Sequence, residues 1–514
     1  MKIKTVLAGV LALWVQSGAY LYAQQPNVEE VIQKLQKRVE ELERTVQTLQ
    51  KAKASETATN ETASGQHVED LSQKVKILER NRELDQEAAE AKAKEAPKIS
   101  LGDQGFSLSS ANGNFAVQLK GVLQVDSRSF FDDHGIVGND GFLLRRARPI
   151  LQGTLFKDFD FLFVPDFGTG NNGGNGGTTS TPQIFDAYLN YRYSPALQFQ
   201  AGKFKSPVGL EQAQSDRDIT FNERSLATDL VPNRDIGFEL HGDLFDGVVS
   251  YAAGIFTGVG DARLSSNSDY EDDKAFAGRL FFQPFKKLSV QPLAGFGFGL
   301  GGSYEDMQAT NTAGLPNTTG GSTPGYATVG QQQFFAYNPT NGSVVANGQH
   351  WRLSPQGSYY YGPFGLLGEY VISDQRVKRI GTGPQPSAYL QNTGWGITGS
   401  WLLTGEDASF GPIVPRHPFS LKEGGWGAWQ LAARYSELDI DHHAFPVFSN
   451  PATSASSAHE WSVGLNWYLN RNVRVDLSFS QTRFDGGGAG GNGPPGNVTR
   501  QTENVLFTRM QLAF

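Results

Sequence analysis

The 514-residue chain contains no cysteine. Disulfides, thiolate metal centres and cysteine nucleophiles are therefore excluded. After the first two dozen residues it also lacks any apolar run of the ~18 residues that a membrane-spanning helix needs. Basic residues are not in excess: 44 Lys and Arg stand against 52 Asp and Glu, for a net charge of −8, which argues against a nucleic-acid partner. No H-E-x-x-H, G-x-S-x-G or phosphate-cradling lysine loop occurs, so no enzyme and no cofactor is expected. What the chain has in abundance is glycine, 60 residues, and aromatics, 11%, a composition suited to many strands and tight turns.

The first residues read as a secretory leader. "MKIK" is basic, "VLAGVLALWV" is a short apolar core, and "SGAYLYAQ" offers cleavage after Ala19 or Ala23. A short membrane anchor is the alternative. Without cysteine the leader cannot be of the lipoprotein type. The next segment, 24–97, is rich in Glu, Gln, Lys and Ala. Val28, Ile32, Leu35, Val39, Leu42, Val46 and Leu49 alternate spacings of four and three, a heptad seam expected to form an α-helical coiled coil. A weaker run, Leu71, Val75 and Leu78, follows a polar break at 52–66, and Pro97 closes the segment. The alternative is one amphipathic helix packed on something else.

From residue 98 onward strict alternation takes over. In "EWSVGLNWYLNRNVRVDLSFSQT", Trp461, Val463, Leu465 and Trp467 share one parity, and Ser462, Gly464 and Asn466 the other. The chain still alternates at its last residue, Phe514. Sixteen strands are expected: 115–130, 141–156, 159–166, 183–193, 197–204, 235–242, 248–256, 275–283, 289–303, 350–360, 364–374, 393–403, 427–438, 459–468, 473–483 and 501–514. Short turns such as "KDFD", "SPA" and "LNRN" alternate with long polar loops: 131–140, 167–182, 205–234, 257–274, 304–349, 375–392, 439–458 and 484–500. A soluble sheet has no reason to sort its loops this way; a transmembrane barrel does. The connection 404–426 is long where a short turn is due. The fold expected is all-β, a 16-stranded antiparallel transmembrane β-barrel at 98–514, preceded by the coiled coil. Strand sixteen would then pair with strand one, because an unpaired edge in lipid is costly.

The barrel resembles the phosphate-selective porin family. The stretches that carry the likeness occur in order: "FLLRRARPILQGTLFKDFDF", "IFDAYLNYRY", "GKFKSPVGLE", "NERSLATDLVPNRDIGFELHG", "GRLFFQPF", "WLLTGE", "GAWQLAARYSELDI" and "GLNWYLNRNVRVDLSFS". The coiled coil lies outside the likeness. The resemblance implies a trimeric outer-membrane porin whose third extracellular loop, 205–234, folds into the lumen. It also implies roles in anion binding for the adjacent Arg145 and Arg146, for Asp186 after Phe185, and for Arg224 after Glu223. Two positions depart from the phosphate-specific pattern: Gln212 stands where a lysine follows "GLE", and Val122 where strand one carries an arginine.

Parity adds Arg148 to Arg146 on the lumen wall and sends Arg145 outward unless a bulge or subunit contact absorbs it. Lys120, Arg128, Arg279, Arg434 and Arg474 are further inner-wall cations, with Asp126, Asp186 and Asp476 as partners. The inward loop carries Lys205, Arg217, Arg224 and Arg234 against Glu211, Asp216, Asp218, Glu223 and Asp229, nearly balanced. These charges either line a path for anions or hold the loop down. "LDIDHHAF" gathers Asp439, Asp441, His442 and His443 on a polar loop, a carboxylate–imidazole group able to take a divalent ion but lacking a third element. Loop 304–349, rich in Thr, Gly, Asn and Gln, is expected to be exposed. The function expected is passive diffusion of small hydrophilic solutes, including anions such as phosphate, through a homotrimer in outer-membrane lipid. The alternatives are a plugged barrel tethering the coiled coil toward the cell wall, and a barrel enzyme.

Overall fold

The computed structural model describes residues 40–41, 44–48, 63–131, 138, 140–168, 182–262, 264–265, 267, 272–288, 291–308, 325–489 and 497–514. The chain divides after Lys94 into two units. The leader and most of the first heptad seam lie outside the described residues. In the first unit one helix, Ala63–Glu95, is continuous through the end of the expected polar break. It stops just before Pro97, whose ring disfavours helix at the preceding residue. Its Leu71, Val75 and Leu78 are all exposed.

The second unit contains β1 (Lys98–Gly102), β2 (Gly105–Ser109), β3 (Ala116–Phe131), β4 (Gly141–Leu155), β5 (Phe159–Asp166), β6 (Gln183–Ser194), β7 (Leu197–Lys205), β8 (Arg234–Leu244), β9 (Val249–Phe256) and β10 (Ala275–Phe282). Then come β11 (Phe296–Gln308), β12 (Gly325–Ala327), β13 (Gln333–Ala336), β14 (Ser343–Tyr361), β15 (Phe364–Ile380), β16 (Ser387–Leu402), β17 (Ala428–Asp439), β18 (Ala455–Tyr468), β19 (Val473–Gly486) and β20 (Glu503–Ala513). Strands β3–β11 and β14–β20 pair in chain order, all antiparallel, and β20 pairs with β3, so sixteen strands close on themselves.

All sixteen expected strands are present. Several boundaries move. The ninth begins at Phe296, because a helical turn, Gln291–Ala294, occupies the run taken for its start. Strands β14–β16 extend toward the long-loop end, so the expected loop 375–392 shrinks to 381–386. The connection after β16 hides no strand. It is a folded turn whose Ile413 packs with Leu402, Ala428 and Tyr468, and whose Phe410 carbonyl accepts from Gln214.

The wall is inverted relative to a water-soluble sheet. Along β18 and β19 the polar Ser462, Asn466, Asp476 and Ser478 are buried, while Trp461, Val463 and Leu477 on the outer face are each about 40% exposed. So continuous an apolar outer surface requires lipid rather than water. Aromatic pairs ring the short-turn end: Trp429 and Trp467 stack at 5.1 Å, and Phe364 and Trp401 at 5.9 Å. Such girdles sit at membrane–water interfaces.

The terminal residue is pinned. Phe514 N donates to Gly121 O and Gly121 N to Phe514 O, each at 3.0 Å. The ring lies so close to Gly121 that a Cβ there would sit 3.0 Å from it. The hairpin β1–β2 pairs with the start of β3 beside this closure.

Among the described residues, two long connections enter the lumen most extensively. One is the connection 206–233, as expected for the third long loop. The other corrects an expectation: the described part of loop 304–349 is not exposed. Its hairpin β12–β13 buries Tyr326, Phe334 and Phe335 against Val371, Leu390, Leu438 and Phe484 of the long-loop end.

Candidate functional site

The wall holds the inward loop by its carbonyls. Gln124 Nε2 donates to Asp216 O at 3.2 Å, Gln511 Nε2 to Arg217 O at 3.0 Å and Arg474 Nη1 to Ile219 O at 3.0 Å. Asn466 Nδ2 donates to Thr220 O at 2.8 Å, Arg509 Nη1 to Asn222 O at 2.7 Å and Arg434 Nη1 to Glu223 O at 2.7 Å. A loop inside a barrel has few backbone partners of its own, so side-chain donors from β3 and β17–β20 satisfy it.

Two carboxylates of that loop organise the arginines. Glu223 lies 2.5 Å from Arg145 Nε, 3.4 Å from Arg128, 3.5 Å from Arg509 and 3.6 Å from Arg146. Asp216 meets Arg148, lies 2.6 Å from Arg224, 3.7 Å from Arg234 and 3.8 Å from Arg146. Burial alone pushes both carboxyls up. The surrounding guanidiniums outweigh it and hold both well below the usual carboxylate range. Further acids complete the set: Asp126 pairs with Arg509 at 2.6 Å, Asp166 with Arg148 at 2.6 Å and Asp186 with Arg234 at 3.3 Å. Phe185 is sandwiched between guanidiniums, with Arg148 Cζ 3.5 Å and Arg234 Cζ 3.7 Å from its ring centroid.

Arg145 points inward, against strict parity. Gln124 pairs with Arg146, but the next residue, Val125, pairs with Leu144. Arg145 is thus the extra residue of a β-bulge, which turns two consecutive side chains to one face. Both are buried, and Arg146 Nη1 donates to Gln124 Oε1 at 2.7 Å.

Of the residues singled out in the sequence, Arg128, Arg145, Arg146, Arg148, Arg224, Arg234 and Asp186 come together here. Lys205 stands beside them, donating to Gln214 O at 2.6 Å. Arg217 instead pairs with Asp218 at 3.2 Å, and Lys120 is half-buried toward the short-turn end of β3; neither joins the cluster. Arg474 and Arg434 are committed to Asp476 and Glu460, each at 2.8 Å. Sequence reasoning missed Arg509, Asp166 and Gln124. The signal for Arg509 was present, since it shares the lumen parity of Phe507 and Gln511.

Among the described residues, three of the cavities border strands between β4 and β10. One of about 90 Å³ is lined by Arg145, Arg146, Arg224 and Gln212. A second of about 320 Å³ is lined by Lys205, Glu239, His241 and Arg279, and a third of about 640 Å³ at the short-turn end by Lys157 and Arg192. Val122 and Gln212, the departures noted in the sequence, are both buried, and Gln212 Nε2 donates to Asn233 Oδ1 at 2.5 Å.

The chain is similar to Porin O of Pseudomonas aeruginosa, 23% identical over 400 residues that cover 74% of this chain and 86% of the relative. Among solved structures it is similar to the outer-membrane channel DcaP of Acinetobacter baumannii, with 9% identity, a TM-score of 0.47, and 78% and 98% of the two chains covered. It is also similar to OmpF of Salmonella typhi, with 11% identity, a TM-score of 0.45, and 78% and 99% covered. Residues 117–514, the closed barrel with its inward loop, match the family of phosphate-selective porins O and P. The chain therefore belongs to that family and is a porin of the bacterial outer membrane, a channel for small hydrophilic solutes.

Proposed function

We propose that the porin passes small anions with a modest preference over cations and retains inorganic phosphate weakly. The observation that carries this reading is the charge balance of the cluster. Seven arginines, 128, 145, 146, 148, 224, 234 and 509, face five carboxylates, Asp126, Asp166, Asp186, Asp216 and Glu223. The excess is positive but small, because three carboxylates of the wall and two of the loop offset most of the arginines. Among the described residues, buried Arg146 Nε and Arg148 Nη2 have no hydrogen-bond acceptor, so the guanidiniums of this pair are not fully saturated by the loop. Gln212 offers the neighbouring cavity an amide where the family likeness leads to a lysine. A fixed charge at 4 Å in an effective dielectric of 20 is worth about 4 kcal/mol before screening. Even about 1 kcal/mol of it shifts relative permeability several-fold. Reversal potentials across a salt gradient, with and without phosphate, test the reading. Changing Arg145, Arg146 and Arg148 together to Gln should move the potential toward cation preference. A wild-type channel already cation-selective would refute the anion reading. A barrel giving no open steps in a bilayer would make it an anchor instead.

For the rest of the molecule, the reading is a leader at 1–23, a periplasmic coiled coil and linker at 24–97, and a homotrimer of barrels embedded in outer-membrane lipid. The heptad run and the unpartnered Leu71, Val75 and Leu78 of the helix support it. Replacing Leu35 and Leu42 by Asn should lower the temperature at which the oligomer dissociates in detergent while single-channel conductance persists. Unchanged oligomer stability would remove that role.

A further inference from the structure

We infer that Asp441, His442 and His443 form a surface site for a divalent transition-metal ion on the loop joining β17 to β18. This loop lies at the long-loop end, the extracellular side of such barrels. The channel reading makes no use of it.

One ligand atom from each of the three side chains lies within 4.8 Å of the others. Asp441 Oδ1 is 2.9 Å from His443 Nδ1 and 3.6 Å from His442 Nδ1. The two imidazoles lie on the same side of a one-turn helix, His442–Ala444, with ring centroids 3.8 Å apart. A tetrahedral ion with bonds of ~2.0–2.1 Å needs ligand atoms roughly 3.3 Å apart, which small side-chain rotations supply. Asp439, grouped with these residues in the sequence, closes β17 and is not among them.

The carboxylate is held in place before any ion arrives. Asp441 N donates to Asn392 Oδ1 at 3.0 Å, and Asp441 Oδ2 accepts from Gln391 N at 2.9 Å. Asp441 Oδ1 accepts from His443 N at 2.9 Å, and Ala444 N donates to Asp441 O at 2.9 Å. Ala444 itself is buried in the core of the long-loop end. Hydrogen bonds of this kind from backbone and neighbouring side chains orient a metal-binding carboxylate. The imidazoles are instead open, with His442 and His443 side chains 86% and 66% exposed, so an ion has direct access.

Two imidazoles and one carboxylate favour Zn²⁺ or Cu²⁺ over Ca²⁺ or Mg²⁺, which prefer an all-oxygen shell. Three protein ligands leave a position for water or for a donor from outside.

The test is calorimetric titration of the untagged full-length protein in detergent with Zn²⁺, Cu²⁺ and Ca²⁺. One equivalent of Zn²⁺ and a tighter equivalent of Cu²⁺ are expected per chain, with Ca²⁺ unable to compete. His442→Ala or His443→Ala should each weaken Zn²⁺ binding at least tenfold, and the double variant should abolish it. Both rings are exposed, so the barrel should fold normally, which unchanged single-channel conductance would verify. Nitrogen hyperfine structure in the Cu²⁺ spectrum should disappear in the double variant. No stoichiometric uptake by the wild type, or undiminished uptake by the double variant, would overturn the assignment.

Discussion

Arg145 and Glu223 form a two-point ion pair between the barrel wall and the inward loop, with Nε to Oε1 at 2.5 Å and Nη2 to Oε2 at 2.9 Å. Arg145 reaches the lumen only because the β-bulge at Gln124–Val125 turns it there. Glu223 is shared with three more arginines. This one carboxylate therefore helps both to hold the loop and to offset the arginines of the cluster with its negative charge.

Glu223→Gln keeps the shape and removes that charge. The arginine excess then grows by one, so anion preference should rise, by several-fold if about 1 kcal/mol of the change reaches the permeating ion. Stability should fall, since breaking a buried pair from one side costs about 3–5 kcal/mol. Reversal potential and the temperature of barrel unfolding on gels measure the two effects. A variant that loses anion preference would show that Glu223 is not beside the ion path.

Arg509 and Asp126 are register partners across the closing seam, and both are fully buried. Arg509→Ala leaves Asp126 without its main counter-charge and frees the Asn222 carbonyl. A loss of about 3–5 kcal/mol is expected. It should appear as a lower unfolding temperature and as protease access to loop 206–233.

The pH response follows from the depressed carboxyls of Asp216 and Glu223. Their folded pKa values lie below the unfolded ones, so their stabilisation is complete above the unfolded pKa, about 4. It fades only as pH falls from there through the folded values. Ion selectivity should be insensitive to the titration of this pair from pH 8 down to about 4.5. Loop release, read by proteolysis, should begin only in stronger acid. Release near pH 6 would contradict the arginine control of these groups.

Deleting Phe514 removes a backbone pair to Gly121 and the ring that covers it. Barrel yield in the outer membrane should fall, with conductance per channel unchanged in what assembles. Gly121→Leu should reproduce part of the defect by displacing the ring. Normal yield from both would reduce Phe514 to a packing residue.

The sequence by itself determined the barrel. Period-two alternation is a local property of each strand, and the sorting of loops by length survives without any knowledge of contacts. That is why all sixteen strands were legible, down to the alternation that reaches Phe514, whereas the inward course of loop 205–234 was implied by the family resemblance. The tertiary structure decided what each charge does. A bulge shifts parity by one residue, and no local pattern announces it, so the direction of Arg145 could not be read. Pairings such as Glu223 with Arg509, or Asp216 with Arg148, join residues 286 and 68 positions apart and exist only once the barrel has closed around its loop. The burial of Phe334 and Phe335 is of the same kind: a polar-rich loop conceals a short apolar hairpin, and only the mouth of the barrel provides the apolar surface that receives it.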